Sequence, residues 1–137
     1  MPAISGRCVC GAVTYSATAE PIFSGVCHCK TCQRATGSAF GAVVAVPAPS
    51  LTVKGDVTQY DGIGDSGQTT HRSFCPVCGS NIAMMADIMS GVVMLPIGTL
   101  DDTSWVKPTV QIYCQAEQGW LDLGGDMQRF EGMPGPG

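Results

Sequence analysis

The cysteines are the residues of this chain best suited to chemistry, since seven of the eight fall into three tight clusters. Two clusters are pairs and the third is a triplet: Cys8-x-Cys10, Cys75-x-x-Cys78 and Cys27-x-Cys29-x-x-Cys32. A structural zinc site takes four protein ligands, whereas a catalytic site takes three and keeps an open position. The two pairs can therefore close one structural site, while the triplet leaves a metal with room for a substrate.

Each cysteine pair is followed by a glycine, Gly11 or Gly79, as in the knuckles that present two sulfurs to one metal. Zinc is the metal expected for four thiolates. Because the pairs lie far apart in the chain, a shared zinc would tie the N-terminal segment to the middle of the sequence and contribute folding free energy. The predicted ligands of this structural zinc are Cys8, Cys10, Cys75 and Cys78.

The triplet has the spacing of an open metal site. Cys29 and Cys32 lie one helical turn apart, and Cys27 adds a third sulfur from the incoming strand. Metal coordination would keep the three thiols deprotonated, and Lys30 would add positive potential beside them. A zinc with three cysteine ligands and a water can bind a substrate thiol as thiolate or polarise a carbonyl group. The triplet is therefore the predicted catalytic site.

A fourth ligand from elsewhere in the chain would close this site and make it structural. Cys114 is the eighth thiol and His71 precedes a knuckle, so either could complete the coordination. The ring of His28 should point away from the metal, because both of its chain neighbours are ligands. A redox role for Cys29 and Cys32 is a further alternative, although the sequence lacks the βαβ context of thioredoxin-like chains.

Length, composition and charge indicate one domain over residues 1–137 and set limits on its partners. The formal net charge of −4 argues against a nucleic-acid partner, which would need a basic face. Neither an export signal nor a run of about 20 apolar residues is visible, which predicts a soluble, cytoplasmic protein without a membrane partner. Because thiols stay reduced in the cytosol, the clusters favour metal binding over a secreted disulfide scaffold.

Short β-type runs dominate the chain and predict a mainly antiparallel β domain with little helix. The predicted strands span Ala12–Thr18, Gly41–Pro47, Thr69–Phe74, Gly91–Ile97 and Thr109–Gln115. A short helix is predicted at Lys30–Thr36, within the triplet segment, and a single helical turn at Asp101–Ser104.

Four ordered motifs run through the chain. They read Gly6-x-Cys8-x-Cys10-Gly11-x-Val13-x-Tyr15, Cys27-His28-Cys29-x-x-Cys32-Gln33-Arg34-x-x-Gly37, Arg72-x-Phe74-Cys75-x-x-Cys78-Gly79-Ser80 and Gly98-Thr99-Leu100-Asp101-Asp102. This order and spacing resemble those of the glutathione-dependent formaldehyde-activating enzymes, a family that also includes centromere protein V. The resemblance covers roughly residues 5–133.

The resemblance implies a β-tent fold, built from antiparallel sheets around zinc, with two zinc ions per chain. The cysteine pairs would hold a structural zinc, and Cys27, Cys29 and Cys32 a catalytic one. The implied activity is that of S-(hydroxymethyl)glutathione synthase, a carbon–sulfur lyase, in which glutathione or another thiol adds to formaldehyde or a related small electrophile. A non-catalytic zinc-stabilised module that binds a protein partner is the alternative, because a fold does not fix a function.

The chain departs from the family pattern in one strand near its C-terminal end. Gln111 stands where family members often have histidine, and Ala116-Glu117 replaces a serine–lysine pair. If that strand lines the pocket, the added carboxylate should disfavour an anionic ligand such as glutathione. Cys114 takes a position usually filled by valine, which favours a buried core thiol over a metal ligand.

Three cations and three aromatic side chains are further candidates for the pocket. Lys30 and Arg34 lie beside the triplet, where they could bind a carboxylate of the ligand or remain solvated on the surface. Arg72 could simply pair with an aspartate. The aromatic candidates, which in a small β domain more often belong to the core, are Phe40, Phe74 and Trp120.

Overall fold

Two β-sheets with a shared core form the body of the protein, in a computed structural model that describes residues 4–64 and 67–133. The strands are β1 (Ile4–Arg7), β2 (Thr14–Ala17), β3 (Phe23–Cys27), β4 (Gly41–Pro47), β5 (Leu51–Lys54), β6 (Thr58–Ile63), β7 (Thr69–Phe74), β8 (Asn81–Ala86), β9 (Val92–Pro96), β10 (Val110–Ile112) and β11 (Gln128–Arg129). The helix is α1 (Lys30–Thr36), and short 3-10 helices span Ala48–Ser50, Asp87–Met89, Ile97–Thr99 and Cys114–Ala116. Within the described ranges, no helix is long and apolar enough to cross a membrane.

The strands assemble into a three-stranded and an eight-stranded sheet. The smaller sheet is antiparallel with the order β1-β2-β5, and the larger has the order β11-β10-β3-β4-β9-β8-β7-β6. Pairing in the larger sheet is antiparallel except at β10, which runs parallel to both β3 and β11. The mainly antiparallel β architecture with little helix, as predicted from the sequence, is therefore observed.

Most of the predicted elements lie where the sequence patterns put them. The strands predicted at Gly41–Pro47 and Thr69–Phe74 and the helix predicted at Lys30–Thr36 have the observed bounds. The other three predicted strands contain β2, β9 and β10, each of which is shorter at both ends.

The helical turn predicted at Asp101–Ser104 is wrong. The Ser104 N–H donates to the Asp102 carboxylate at 2.9 Å, and the Val106 N–H donates to the Thr103 carbonyl at 3.0 Å. An aspartate that captures the backbone two residues further on favours a turn over a helix. The chain therefore turns at 103–106 instead.

The core lies between the two sheets. Alternate side chains of β4 and β9 point into it and are at most 2% exposed: Val44, Val46, Val93 and Leu95. The smaller sheet and its flanks contribute Ile4, Val13 and Tyr15. Burying an aliphatic side chain of this size contributes about 1.5–3 kcal/mol. Because side chains alternate along a strand, the core uses one face of β4 and β9 and leaves the opposite face for other contacts.

The helix α1 begins and ends at residues with a capping role. Cys29 is its N-cap, and the Cys29 Sγ accepts a hydrogen bond from the Cys32 N–H at 3.2 Å. Gly37 ends the helix in the left-handed region at φ 69°, which glycine adopts without strain, and its N–H donates to the Gln33 carbonyl at 2.8 Å. The helix thus holds Cys29 and Cys32 one turn apart.

Candidate metal centres

The two cysteine pairs come together in the structure, although they lie far apart in the chain. All four sulfurs lie within 4.8 Å of one another, and the Cys10 Sγ is 3.6 Å from the Cys8 Sγ and 3.8 Å from the Cys75 Sγ. A tetrahedral zinc with Zn–S bonds of about 2.3 Å requires sulfurs about 3.8 Å apart. The donor set and its spacing therefore fit a closed four-thiolate zinc, with the ligands Cys8, Cys10, Cys75 and Cys78.

Backbone N–H groups and a serine hydroxyl hold these sulfurs in position. The Val13 N–H donates to the Cys8 Sγ at 3.3 Å. The Ser80 hydroxyl donates to the Cys78 Sγ at 3.2 Å, and its oxygen accepts a bond from the Val9 N–H at 3.1 Å, which links the two knuckles. Donors of this kind favour the thiolate, and the Ser80 hydroxyl, followed by nearby backbone N–H groups, lowers the pKa of Cys78 to about 5.

The three sulfurs of the triplet also converge, within 4.8 Å of one another. Cys27 ends β3, Cys29 caps α1, and Cys32 lies in the first turn of the helix. Hydrogen bonds with the Cys27 and Cys32 thiols lower the pKa of Cys29 to about 2, and the Cys32 N–H and the guanidinium of Arg72 act in the same direction. Three converging cysteine sulfurs are a donor set that suits zinc once the thiols lose their protons.

Arg72 faces the same side of the large sheet as Cys27, the member of the triplet that lies on a strand. The cross-strand register connects the two through the pairs Cys27↔Gly41, Ala45↔Met94, Met84↔Met94 and Arg72↔Met84. Paired residues share a face, as do alternate residues of one strand. Among the described residues, no carboxylate lies within ion-pair distance of Arg72, so the pairing with an aspartate suggested by the sequence is not observed.

Neither sequence candidate for a fourth ligand reaches the triplet. The two ring nitrogens of His71 contact Asp61 and Asp87, each at 2.8 Å. Cys114 is buried and belongs to a different polar cluster. In the part of the chain that the structure describes, the triplet therefore brings three sulfurs together, with no fourth His, Cys, Asp or Glu in the same cluster.

The cluster that contains Cys114 is centred on His28, whose ring does not join the triplet, as expected. His28 is fully buried, and it lies within 4.8 Å of the Cys114 sulfur and of a Glu117 oxygen. Its Nε2 is 2.8 Å from the Gln111 Oε1, which also accepts a bond from the Arg129 Nη1 at 3.2 Å. Because a guanidinium only donates, this Gln111 atom is the amide oxygen, and His28 must carry a proton on Nε2.

The carboxylate of Glu117 is paired with Arg129. Two guanidinium N–H groups donate to its oxygens at 2.9 and 3.2 Å, and this contact lowers the pKa of Glu117. The buried Gln111 and the paired Glu117 both face this cluster instead of the groove described next. The sequence predicted that Glu117 would disfavour an anionic ligand if its segment lined the pocket. Neither Gln111 nor Glu117 lines that groove, so this repulsion does not apply there.

A groove of about 530 Å³ opens beside α1. It is lined by Lys30, Gln33 and Arg34 of the helix, by the turn at 37–39, and by Gln118 and Trp120. Trp120 is 73% exposed and so does not belong to the core. The sequence did not predict that Gln33 and Gln118 line a groove, because two glutamines far apart in the chain have no spacing pattern that connects them.

Comparison with known proteins gives three findings. A family model described as glutathione-dependent formaldehyde-activating enzyme matches residues 3–116. A Schizosaccharomyces pombe protein described as an uncharacterized lyase is 32% identical over 82 residues, which are 60% of this chain and only 57% of that protein. The crystal structure of a Rhodobacter sphaeroides protein matches with a TM-score of 0.58 at 22% identity, and covers 76% of this chain and 91% of that chain. This last likeness concerns the fold alone, and together with the two sheets it confirms the predicted fold class.

Proposed function

This chain belongs to the glutathione-dependent formaldehyde-activating enzyme family, and on that basis we propose that it is a zinc enzyme of the carbon–sulfur lyase type. It would join glutathione or another thiol to formaldehyde or a related small electrophile. The observation that carries the proposal is the cluster of the Cys27, Cys29 and Cys32 sulfurs, within 4.8 Å of one another and without a fourth ligand among the described residues. Three protein ligands leave a position at which a substrate can bind.

A second zinc, bound by the two cysteine pairs, would be structural. Its proposed ligands follow β1 and β7, which lie in different sheets, so metal binding would join the two sheets and contribute to folding. We therefore assign two zinc ions to each chain, one for the fold and one for the reaction.

The proposed reaction is an addition without oxidation or reduction. The thiol sulfur bonds to the aldehyde carbon, the carbon–oxygen double bond becomes a single bond, and the thiol proton ends on the oxygen. When bound at the triplet, zinc supplies Lewis acidity for the thiol or for the aldehyde oxygen. Negative charge develops first on the sulfur and then on the oxygen, so the surrounding residues must favour an anion at this place.

Arg72 is the cation proposed to favour that charge. It shares a sheet face with Cys27, and its guanidinium already contributes to the lowered pKa of Cys29. A fixed cation beside a developing anion stabilises the transition state with little reorganisation. We assign to Arg72 the stabilisation of the substrate thiolate or of the oxyanion.

Gln33 is the residue proposed to position the triplet. Its side chain is 6% exposed, and its amide donates to the His28 carbonyl at 2.8 Å and to the Ala116 carbonyl at 3.1 Å. The His28 N–H in turn donates to the Ile112 carbonyl at 3.0 Å. These bonds fix the backbone between Cys27 and Cys29, which limits the movement of the two sulfurs.

The test of this function is the rate of adduct formation above the uncatalysed rate, because formaldehyde and thiols combine without an enzyme. Zinc-replete protein is mixed with formaldehyde and glutathione, cysteine or 2-mercaptoethanol, and the adduct is followed by NMR. We expect Cys29→Ser to remove the excess rate while the circular dichroism spectrum is retained. An excess rate that survives this substitution would contradict the proposal.

A non-catalytic zinc module that binds a protein partner is the second candidate, and the edge strand β6 favours it. Tyr60 and Ile63 in this strand are 63% and 71% exposed, and within the larger sheet β6 pairs with β7 alone. An exposed edge strand can accept a further strand from another protein. Zinc-replete protein with one zinc per chain, an empty triplet and no excess rate would favour this function.

A further inference from the structure

We propose that Asn81 is a positioning residue of the triplet and that it couples the two candidate metal centres. Its side chain joins α1, the helix that holds Cys29 and Cys32, to the chain segment that directly follows the second cysteine pair. The inference rests on the two metal centres of the proposed function and goes beyond that function, because it concerns metal affinity and involves no turnover. A metal at the four-cysteine cluster should therefore strengthen metal binding at the triplet.

The hydrogen bond between Asn81 and the helix is the first observation behind this assignment. The half-buried Asn81 side chain donates through Nδ2 to the Ala35 carbonyl at 3.1 Å, across 46 positions of the chain. Ala35 lies in the last turn of α1, where carbonyls have no intrahelical partner. The nearby Gln33 carbonyl accepts from the Gly37 N–H at 2.8 Å. Asn81 thus supplies a side-chain donor to the C-terminal end of the helix.

The second observation is that Asn81 directly follows a residue bonded to both cysteine pairs. The Cys75 N–H donates to the Ser80 carbonyl at 2.9 Å, and the Ser80 hydroxyl donates to the Cys78 Sγ at 3.2 Å. The same hydroxyl oxygen accepts from the Val9 N–H of the other pair at 3.1 Å. A metal held by the four sulfurs would therefore fix the backbone from which the Asn81 side chain extends.

A β-bulge next to Asn81 places its side chain on a firmly held backbone. Phe74 pairs with Asn81 across β7 and β8, whereas Ser73 pairs with Ala83, so β8 contains one extra residue, Ile82. Ile82 is fully buried in the core. A bulge bends its strand and redirects side chains next to it. The contact with α1 therefore starts from a part of β8 that the core holds in place.

The position of α1 depends on such contacts because the helix is short. It has seven residues, and isolated helices of this length are unstable in water. The whole helix is about 10 Å long, so a displacement at Ala35 also moves Cys29 at its N-cap and Cys32 in its first turn. Gln33 ties the helix to the C-terminal segment through the Ala116 carbonyl. Asn81 adds the anchor that leads to the four-cysteine cluster.

Co²⁺ binding at the triplet tests the inference, because Co²⁺ replaces zinc at thiolate sites and its visible absorption reports sulfur ligands. Protein with one zinc per chain, at the four-cysteine cluster, is titrated with Co²⁺ to give the Kd of the triplet. The bands of the other cluster are identified in Cys29→Ser. We expect Asn81→Leu, which removes the donor, to raise Kd about three- to tenfold, as for the loss of one hydrogen bond. Asn81→Gln keeps the donor and should stay within about twofold of the wild type.

Ser50→Ala is the matched control. The Ser50 hydroxyl donates to the Pro47 carbonyl at 2.7 Å, a part-buried bond of the same kind at residues outside both cysteine clusters. We expect this variant to lose as much unfolding free energy as Asn81→Leu and to keep Kd within about twofold of the wild type. An Asn81→Leu variant with the wild-type Kd, or with the same Kd as Ser50→Ala, would overturn the inference, because Asn81 would then contribute to stability alone.

A second measurement uses the reciprocity of coupled sites. A metal at the triplet should tighten zinc binding at the four-cysteine cluster by the same factor. Competition with a chelator gives this factor from the wild type, with the triplet filled, and from Cys29→Ser, with the triplet empty. The factor should fall towards one when Asn81→Leu is present in both proteins. A factor of one without that substitution would also overturn the inference.

The rate of adduct formation separates this inference from the proposed function. Wild-type protein that binds Co²⁺ at the triplet but shows no excess rate with zinc would remove the enzyme function and leave the coupling in place. A normal excess rate together with an unchanged Kd in Asn81→Leu would remove the coupling alone. A wild-type triplet that binds neither metal would overturn both.

Discussion

The imidazole of His28 donates its Nε2 proton to the side-chain oxygen of Gln111 across 2.8 Å, and both side chains are buried. His28 lies between two cysteines of the triplet, whereas Gln111 lies on β10, the strand that runs parallel to β3. The bond therefore joins the side chain of the residue between Cys27 and Cys29 to a side chain of the neighbouring strand. Arg129 donates to the same Gln111 oxygen, so this one oxygen accepts hydrogen bonds from two side chains.

Gln111→Met should destabilise the fold, because it removes the oxygen that accepts from the buried His28 N–H and from one Arg129 N–H, and leaves the His28 Nε2 with a Glu117 oxygen 3.5 Å away. Removal of a buried acceptor costs about 1–3 kcal/mol. Urea unfolding of zinc-replete protein measures the change. The matched control is Gln115→Met at an exposed position, which should change the free energy of unfolding by less than about 0.5 kcal/mol. Equal losses in the two variants would contradict this role for Gln111.

Cys75→Ser and Cys29→Ser should differ in what they remove. Cys75 is fully buried in the four-cysteine cluster, so its loss should release the structural zinc and unfold the domain. Cys29 caps a short helix in a partly exposed cluster, so its loss should lower the zinc content from about two to about one per chain with the fold retained. Circular dichroism and metal analysis of both variants make the comparison. The division into a structural and a catalytic site fails if both variants lose stability equally.

The candidate metal sites could be predicted from the sequence because the signals of the cysteine clusters are local. The Cys-x-Cys and Cys-x-x-Cys spacings, the glycines that follow two of them and the helix at Lys30–Thr36 are all short-range patterns. The sequence also predicted that the two distant pairs share a site, because two pairs of thiolates supply the four ligands of one closed zinc site. The structure brings the four sulfurs together. The lengths of β4 and β7 could also be predicted, since turn residues bound both strands.

The remaining strands and the groove depend on contacts that no local pattern contains. Nearly every residue of β6 is exposed, so the alternation that identifies a half-buried strand is missing. The short strand β3 contains a serine and a glycine, which weaken its β pattern. The hydrogen bond from Gln118 to Gln33 joins residues 85 positions apart in the chain and arises only when α1 packs against the C-terminal segment.

His71, on β7, links β6 to the 3-10 helix at Asp87–Met89 through two ion-pair contacts near the surface. Its Nδ1 contacts Asp61 and its Nε2 contacts Asp87, both at 2.8 Å. These hydrogen bonds, that of Asp61 first, raise the pKa of His71 above its ordinary value of 6.5. The same contact lowers the pKa of Asp61 below 3.8. Each partner therefore favours the charged form of the other.

The contribution of these His71 contacts to the free energy of unfolding should depend on pH in a defined direction. A raised folded-state pKa means that the His71 contribution is complete below pH 6.5 and is lost as the pH rises through the folded-state pKa. The Asp61 contribution is present above pH 3.8 and is lost as the pH falls through its lowered pKa. The difference in unfolding free energy between wild type and His71→Gln should therefore shrink from about pH 5 to about pH 9.

Two measurements check this prediction. Urea unfolding at several pH values gives the difference directly, and a pH-independent difference would contradict it. An NMR titration should place the pKa of His71 above 6.5 in the wild type and closer to 6.5 in Asp61→Asn.

Gly25 allows β3 and β10 to lie close together. Gly25 and Val110 are direct cross-strand partners in the parallel pair, two residues before Cys27 on β3. A Cβ at residue 25 would lie 2.7 Å from the Val110 Cγ1 and 3.2 Å from the Val110 carbonyl oxygen. The first distance is too short, so an alanine would push the two strands apart and displace Cys27.

Gly25→Ala should therefore cost about 1–3 kcal/mol of unfolding free energy and lower the zinc occupancy of the triplet. Val110→Ala removes Cγ1, the closer of the two contacts, so the double variant should recover part of the loss. Urea unfolding of the wild type, both single variants and the double variant gives the coupling free energy, which we expect to exceed about 0.5 kcal/mol. Losses that simply add would mean that the contact between residues 25 and 110 does not set the position of β3.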